Sequence, residues 1–126
     1  MTKTIASFII TPDGTKLQSY HVHDYKTHTD ANGEVYMIDG GCEYQRGSVN
    51  KEPAEAHVIT MADPHELRRE HFCWGTRGME GTRPLTWVAL RFLTTPHIKA
   101  ILETQHQIPE HIRQLFKDEL EWRDEH

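Results

Sequence analysis

A change of punctuation at Asp63-Pro64 constrains this chain most. Before it, short apolar runs are separated by turn signals. After it, prolines stand where helices begin. Thr4–Ile10, rich in Ile and Phe, predicts a first strand. Pro12-Asp13-Gly14-Thr15 predicts a turn, because Pro presets φ and Gly accepts a positive φ. A second strand is expected from about Leu17 to Thr27. Asp30-Ala31-Asn32-Gly33 carries Asn-Gly, a favoured hairpin dipeptide. Glu34–Asp39 predicts a third strand, with Val35, Met37 and Asp39 on one face and Tyr36 and Ile38 on the other. Gly40-Gly41 marks a bulge or bend, Cys42–Arg46 extends the sheet, Gly47–Pro53 is a loop, and Glu55–Met61 is a further strand.

Beyond the switch, Asp63 is an N-cap candidate, Pro64 suits a first helical position, and Glu66 stands where a capping-box partner would. A short helix over Pro64–Phe72 is expected to stop before Gly75. Leu85–Leu90 predicts a last strand. Thr95-Pro96 opens a second helix with Ile98, Ile101 and Leu102 on one face. Pro109 opens a third, with Ile112, Leu115, Phe116 and Leu120 at helical spacing. The acidic run Asp118-Glu119, Glu121, Asp124-Glu125 reads as a solvated face.

The expected fold is a single α+β domain over 1–126. An antiparallel sheet of four to six strands fills the N-terminal two thirds, followed by a short helix and a C-terminal αα-hairpin packed on the sheet. At 126 residues the chain is long enough to bury a core without staples. It carries neither a signal-peptide pattern nor an apolar run of spanning length, so cytoplasmic residence without a membrane partner is expected. Cys42 and Cys73 form no disulfide framework. The formal net charge of −5 argues against broad affinity for nucleic acid.

Against that acidic total, every cation between 68 and 91 is Arg: Arg68, Arg69, Arg77, Arg83 and Arg91. Two of them sit in Cys73-Trp74-Gly75-Thr76-Arg77-Gly78-Met79-Glu80-Gly81-Thr82-Arg83-Pro84, which repeats Gly-Thr-Arg after a Trp. Arg grips anions with a planar fork, Gly lets backbone approach a ligand, and Trp offers a stacking face. The stretch ends in no Gly-Lys-Ser/Thr and lacks dinucleotide glycine spacing. The alternative is a surface loop whose arginines pair with Glu70 and Glu80, with Trp74 as a core anchor.

Two other clusters bear on chemistry. His21-Val22-His23-Asp24, followed by His28, puts His21 and His23 on one strand face, as a transition-metal site requires. With ten histidines in the chain, close pairs also arise by chance. Asp39, Tyr44 and Arg46 flank the Gly-Gly bend at the rim of a pocket, or Asp39 caps the bend's own amides.

On Thr11-Pro12-Asp13-Gly14-Thr15, His23-Asp24-Tyr25, Asp39-Gly40-Gly41 and Trp74-Gly75-Thr76-Arg77-Gly78, the chain resembles a family of small accessory proteins of tailed bacteriophages and prophages. The resemblance also takes in Pro84-Leu85-Thr86-Trp87-Val88, Thr95–Leu102 and Glu119–Arg123. It implies expression in an infected bacterium, and a protein that binds host molecules or blunts host defence. It implies no catalytic residue.

The leading expectation is therefore a non-enzymatic binding protein without a cofactor. Trp74, Arg77 and Arg83, with Arg46, Asp39 and Tyr44, would hold a small anionic, nucleotide-like ligand or an acidic host surface. Apolar residues Phe116, Leu120 and Trp122 on the terminal helix would favour a homo-oligomer. The alternative is an enzyme using a divalent transition metal on His21, His23 and His28, with Asp24 or Asp39 as acid or base.

Overall fold

The computed structural model describes residues 2–20, 24–39, 46–47 (backbone), 54–78 and 81–126. Its elements follow the sequence order β1 (Thr4–Ile10), β2 (Lys16–Gln18), β3 (Tyr25–Thr29), β4 (Val35–Asp39), β5 (Arg46–Gly47), β6 (Glu55–Thr60), α1 (His65–His71), β7 (Cys73–Thr76), β8 (Thr86–Ala89), a 3-10 turn (Leu90–Phe92), α2 (Thr95–Thr104) and α3 (Glu110–Glu125). This is an α+β fold. Its strands are shared among three small sheets, ordered β2-β1-β6, β3-β4-β5 and β7-β8. The chain divides into two compact units: Thr4–Ile59, and Thr60–His126 with Met1–Lys3. No helix among the described residues is long and apolar enough to cross a membrane.

In the first unit β1 is the central strand of its sheet, which explains why Ile5, Ala6, Ser7 and Phe8 are buried consecutively. The turn expected at 12–15 forms: Thr11 N donates to Thr15 O at 2.9 Å, and Gly14 takes φ +89°. The Asp30–Gly33 hairpin forms as well. Asp30 Oδ1 accepts from the amides of Asn32 (2.9 Å) and Glu34 (3.0 Å), and Gly33 takes φ +80°. The alternation expected on β4 holds, with Tyr36 and Ile38 buried against Leu17. The long second strand does not form. Asp24 Oδ2 accepts from Tyr20 N at 2.8 Å and Ser19 Oγ donates to Asp24 O at 2.8 Å, so Ser19, Tyr20 and Asp24 are held by local side-chain bonds rather than by strand pairing.

In the second unit α1 starts without its expected cap. Asp63 Oδ2 instead accepts from Thr60 N at 2.7 Å, and the carbonyl of Pro64 takes the first helical bonds. Thr94 caps α2 by accepting from His97 N at 3.3 Å. Arg113 of α3 donates to the carbonyls of Leu102 (3.0 Å) and Gln105 (2.8 Å), closing the C-terminus of α2. Helix α3 packs on the β7-β8 sheet: the Phe116 ring meets Trp74 edge-on at 5.3 Å and Phe72 edge-on at 6.0 Å. Leu90, Leu93, Ile98, Ile101 and Leu115 complete this core. Phe116 is wholly buried and Trp122 is partly covered, so the exposed apolar face expected on α3 is largely internal.

Glu119, expected in solvent, is fully buried. Arg69 donates to its two oxygens from Nε and Nη2 at 2.9 Å each. Arg123 Nε donates at 2.7 Å, and His65 Nε2 sits 2.9 Å from Oε1. Arg123 also donates to Thr95 Oγ1 (2.9 Å) and to the carbonyls of Leu90 (3.2 Å) and Leu93 (2.6 Å). One carboxylate thus ties α1 to α3 and, through Arg123, to the start of α2. The sequence does carry a signal for it. Glu119 lies four residues after Leu115 and four before Arg123, on the apolar stripe of α3.

Burial raises the Glu119 pKa, but hydrogen bonds from Arg69, Arg123 and His65 outweigh it and hold the carboxyl at about 2. A carboxyl depressed in the folded state stabilises above its unfolded value, near 4.3, and that contribution is lost as pH falls toward the folded value. Glu119→Gln leaves two arginines facing a neutral group and should cost about 3 kcal/mol or more at neutral pH. Denaturant titrations of both proteins should converge between about pH 4.5 and 2. A gap independent of pH would refute the role given to this charge.

Candidate functional site

The stretch from Cys73 to Pro84 is not one long loop. Its first four residues are β7, in register with β8 as Cys73↔Ala89, Trp74↔Val88, Gly75↔Trp87 and Thr76↔Thr86. Only the segment beyond Thr76 is irregular, and residues 79–80 lie outside the described residues. Glycine at 75 has a steric cause. A Cβ there would lie 3.0 Å from Cη2 and 3.1 Å from Cζ3 of Trp87, whose ring covers the strand. Gly78 and Gly81 take φ of +84° and +73°, values that non-glycine residues rarely adopt.

These glycines do not hold amides out for a ligand. Gly78 N donates to Thr76 Oγ1 at 3.0 Å, Gly81 N to Gly78 O at 3.1 Å, and Arg83 N to Arg77 O at 2.9 Å. The turn spends these three amides on itself.

A cavity of about 390 Å³ lies between this hairpin and α2. Trp74, Leu85, Ala100 and Ile101 give it apolar walls, Thr76, Thr104 and Gln105 give polar ones, and Arg77 and His97 bring the charge-bearing groups. Thr76 Oγ1 stands 3.4 Å from His97 Nε2. Trp74 anchors edge-on to Phe116 and also lines the cavity. Arg83 does not line it; its stem lies beside Gly78, with Cδ 3.3 Å from where a Cβ would be.

The arginines fall into two groups. Arg68 donates to Asp118 at 3.0 Å and Arg69 to Glu119, so these two are internal to the fold rather than part of a ligand cluster. Arg91 lies over the Phe92 ring, 4.4 Å from its centroid. Arg77 and Arg83 are exposed, and neither has an ion-pair partner among the described residues.

The other candidate residues belong to the unit Thr4–Ile59. Asp39 of β4 stands opposite Arg46 of β5 and Tyr25 of β3 in register. Tyr44 lies outside the described residues, as do His21 and His23. His28 Nε2 stands 2.6 Å from Asp13 Oδ2 and 3.2 Å from Thr15 Oγ1, and so braces the 12–15 turn. Hydrogen bonds from Thr11 and His28 hold the Asp13 carboxyl well below the usual carboxylate range. Asp24 pairs with Lys26 at 3.1 Å. Among the described residues no group of three or more His, Cys, Asp or Glu is placed to hold a metal ion. Cys73 is partly buried, its Sγ 3.8 Å from the His71 carbonyl oxygen, and Cys42 lies outside the described residues.

The chain matches no family model, no curated protein and no solved structure.

Gly75→Ala should push the Trp87 ring off β7 and cost about 1–3 kcal/mol, as overpacking does. Thermal unfolding and the Trp87 indole N–H resonance would report it. An unshifted resonance with unchanged stability would contradict the ring-over-glycine packing.

Proposed function

We propose that this protein is a non-enzymatic binding protein of phage type, whose hairpin–α2 cavity holds a small anionic, nucleotide-like ligand. The observation that carries this reading is the exposed Arg77, without an ion-pair partner among the described residues, beside a cavity walled by Trp74. A concave site of about 390 Å³ is in the range of small-molecule pockets, roughly 300–1,000 Å³. The guanidinium supplies a fixed cation and the indole an aromatic wall, a pairing suited to an anion attached to a ring.

The phage resemblance gives the setting. In the cytoplasm of an infected bacterium, sequestering an anionic metabolite or signal would blunt a host response. An acidic segment of a host protein carries related chemistry, but the concavity favours a small ligand.

Native mass spectrometry of the protein drawn from infected cells would test this. The wild type should carry a small-molecule adduct. Arg77→Ala, which removes a charge-assisted contact of about 1.5–3 kcal/mol, should weaken retention about 10- to 100-fold with the fold intact. Arg83→Ala should lose less, since Arg83 lies behind Gly78. An adduct undiminished by Arg77→Ala would overturn the assignment.

A further inference from the structure

We infer that β3 is a self-association edge, along which a second copy of this chain pairs antiparallel about a two-fold axis at Thr27. The inference is independent of the proposed cavity ligand and concerns the unit Thr4–Ile59.

The phase of the β3-β4 ladder sets which backbone groups are left over. Asp30 N donates to Glu34 O at 3.0 Å, in the register that continues from Thr29↔Val35. Bonded and non-bonded pairs alternate along an antiparallel ladder. His28↔Tyr36 and Lys26↔Ile38 are therefore the bonded pairs. Tyr25, Thr27 and Thr29 point their carbonyls and amides away from β4. Because β3 ends the sheet β3-β4-β5, no strand among the described residues takes those groups. Their side chains share the outer face with Val35 and Met37, where Tyr25 is 58 % and Val35 50 % exposed.

Open edges are commonly guarded by charge, proline or a bulge. On β6, an end strand of the other sheet of this unit, the exposed carboxylate of Glu55 is such a guard. The outward positions of β3 have none. They hold Tyr, Thr and Thr, residue types that favour strands, in a run of five without Gly or Pro.

The occupant follows from symmetry. The outward residues are evenly spaced about Thr27. An antiparallel second copy centred there sets Thr27 against the partner's Thr27, and Tyr25 against the partner's Thr29. Every outward group of β3 then meets its complement, two hydrogen bonds per pair and about six in all. Thr–Thr and aromatic–β-branched pairs both stabilise neighbouring strands. The partner's Val35 lies one strand beyond the partner's Thr29, so the exposed apolar residues of the two copies form one band. On the inner face Lys26 meets the partner's His28. Lys26 has Asp24 at 3.1 Å and His28 has Asp13 at 2.6 Å, so each side chain brings its own carboxylate. The two three-stranded sheets become one continuous sheet. A single strand edge buries less than a standard interface of about 1,600 Å², which makes the dimer weak, with a dissociation constant on the order of 100 μM.

Sedimentation velocity of the full chain from about 1 μM to 1 mM, with residue-resolved amide exchange over the same range, tests this. Dimer should accumulate with concentration. The Tyr25, Thr27 and Thr29 amides should gain protection with it, while those of Lys26 and His28, bonded to β4, should not change. Thr27→Lys sets like charges opposite each other at the axis and should weaken association about fivefold, as should Thr27→Glu. Mixed together, these two variants should pair at least as tightly as the wild type. Thr27→Pro removes an N–H that β4 does not use, so the chain should fold and associate about tenfold less. A chain that stays monomeric at about 1 mM would overturn the inference. So would a dimer unaffected by Thr27→Lys, or Thr27 protection that ignores concentration. Failure of the mixed variants to pair would overturn the axis at Thr27.

Discussion

The C-terminal unit depends on a single buried carboxylate. Burying a charge is costly unless hydrogen bonds replace its water, and Glu119 is supplied with them from Arg69, Arg123 and His65. The consequence is positional. Arg69 fixes α1 to α3, while Arg123 reaches on to the 3-10 turn and to Thr95 at the head of α2. The wall of the cavity that carries His97 and Ile101 is therefore set by a residue that touches no cavity atom. Arg69 also lies over the Trp122 ring at 5.4 Å, and His65 meets the same ring at 5.5 Å. The apolar end of α3 thereby covers the ion cluster.

The turns of the first unit were legible because their chemistry is local. Gly14 and Gly33 sit at positive φ, where the Pro-Asp-Gly and Asn-Gly signals place them, and the alternation on β4 follows from one face being buried. The second strand misled because Tyr20–Thr27 has the composition of a strand, while Ser19 and Asp24 compete for its backbone. The same competition misled at Asp63. A good N-cap residue accepted from Thr60 instead, because the end of β6 also needed an acceptor.

Glu119 was hidden by its neighbours. In a run with Asp118, Glu121, Asp124 and Glu125, a carboxylate reads as solvated. Only the spacing to Leu115 and Arg123 marks it as inward. What no local pattern reveals is that Arg68 and Arg69, about 50 residues earlier, complete the pairs. Net charge and local charge clusters cannot distinguish a cation committed to the fold from one left over for a partner.

That distinction decides how the arginine-rich segment is understood. Arg68, Arg69, Arg113 and Arg123 are each consumed by carboxylates or helix-end carbonyls. Their removal would act on stability before it acted on binding. Arg77 differs in being exposed, with no ion-pair partner among the described residues. Gly75 lets the Trp87 ring lie across β7, and Trp74 turns to Phe116 on the next register position. The two tryptophans thus pack around β7, which ends one residue before Arg77. The glycines shape the hairpin itself: Gly75 admits the Trp87 ring, and Gly78 and Gly81 take the positive φ of its turn.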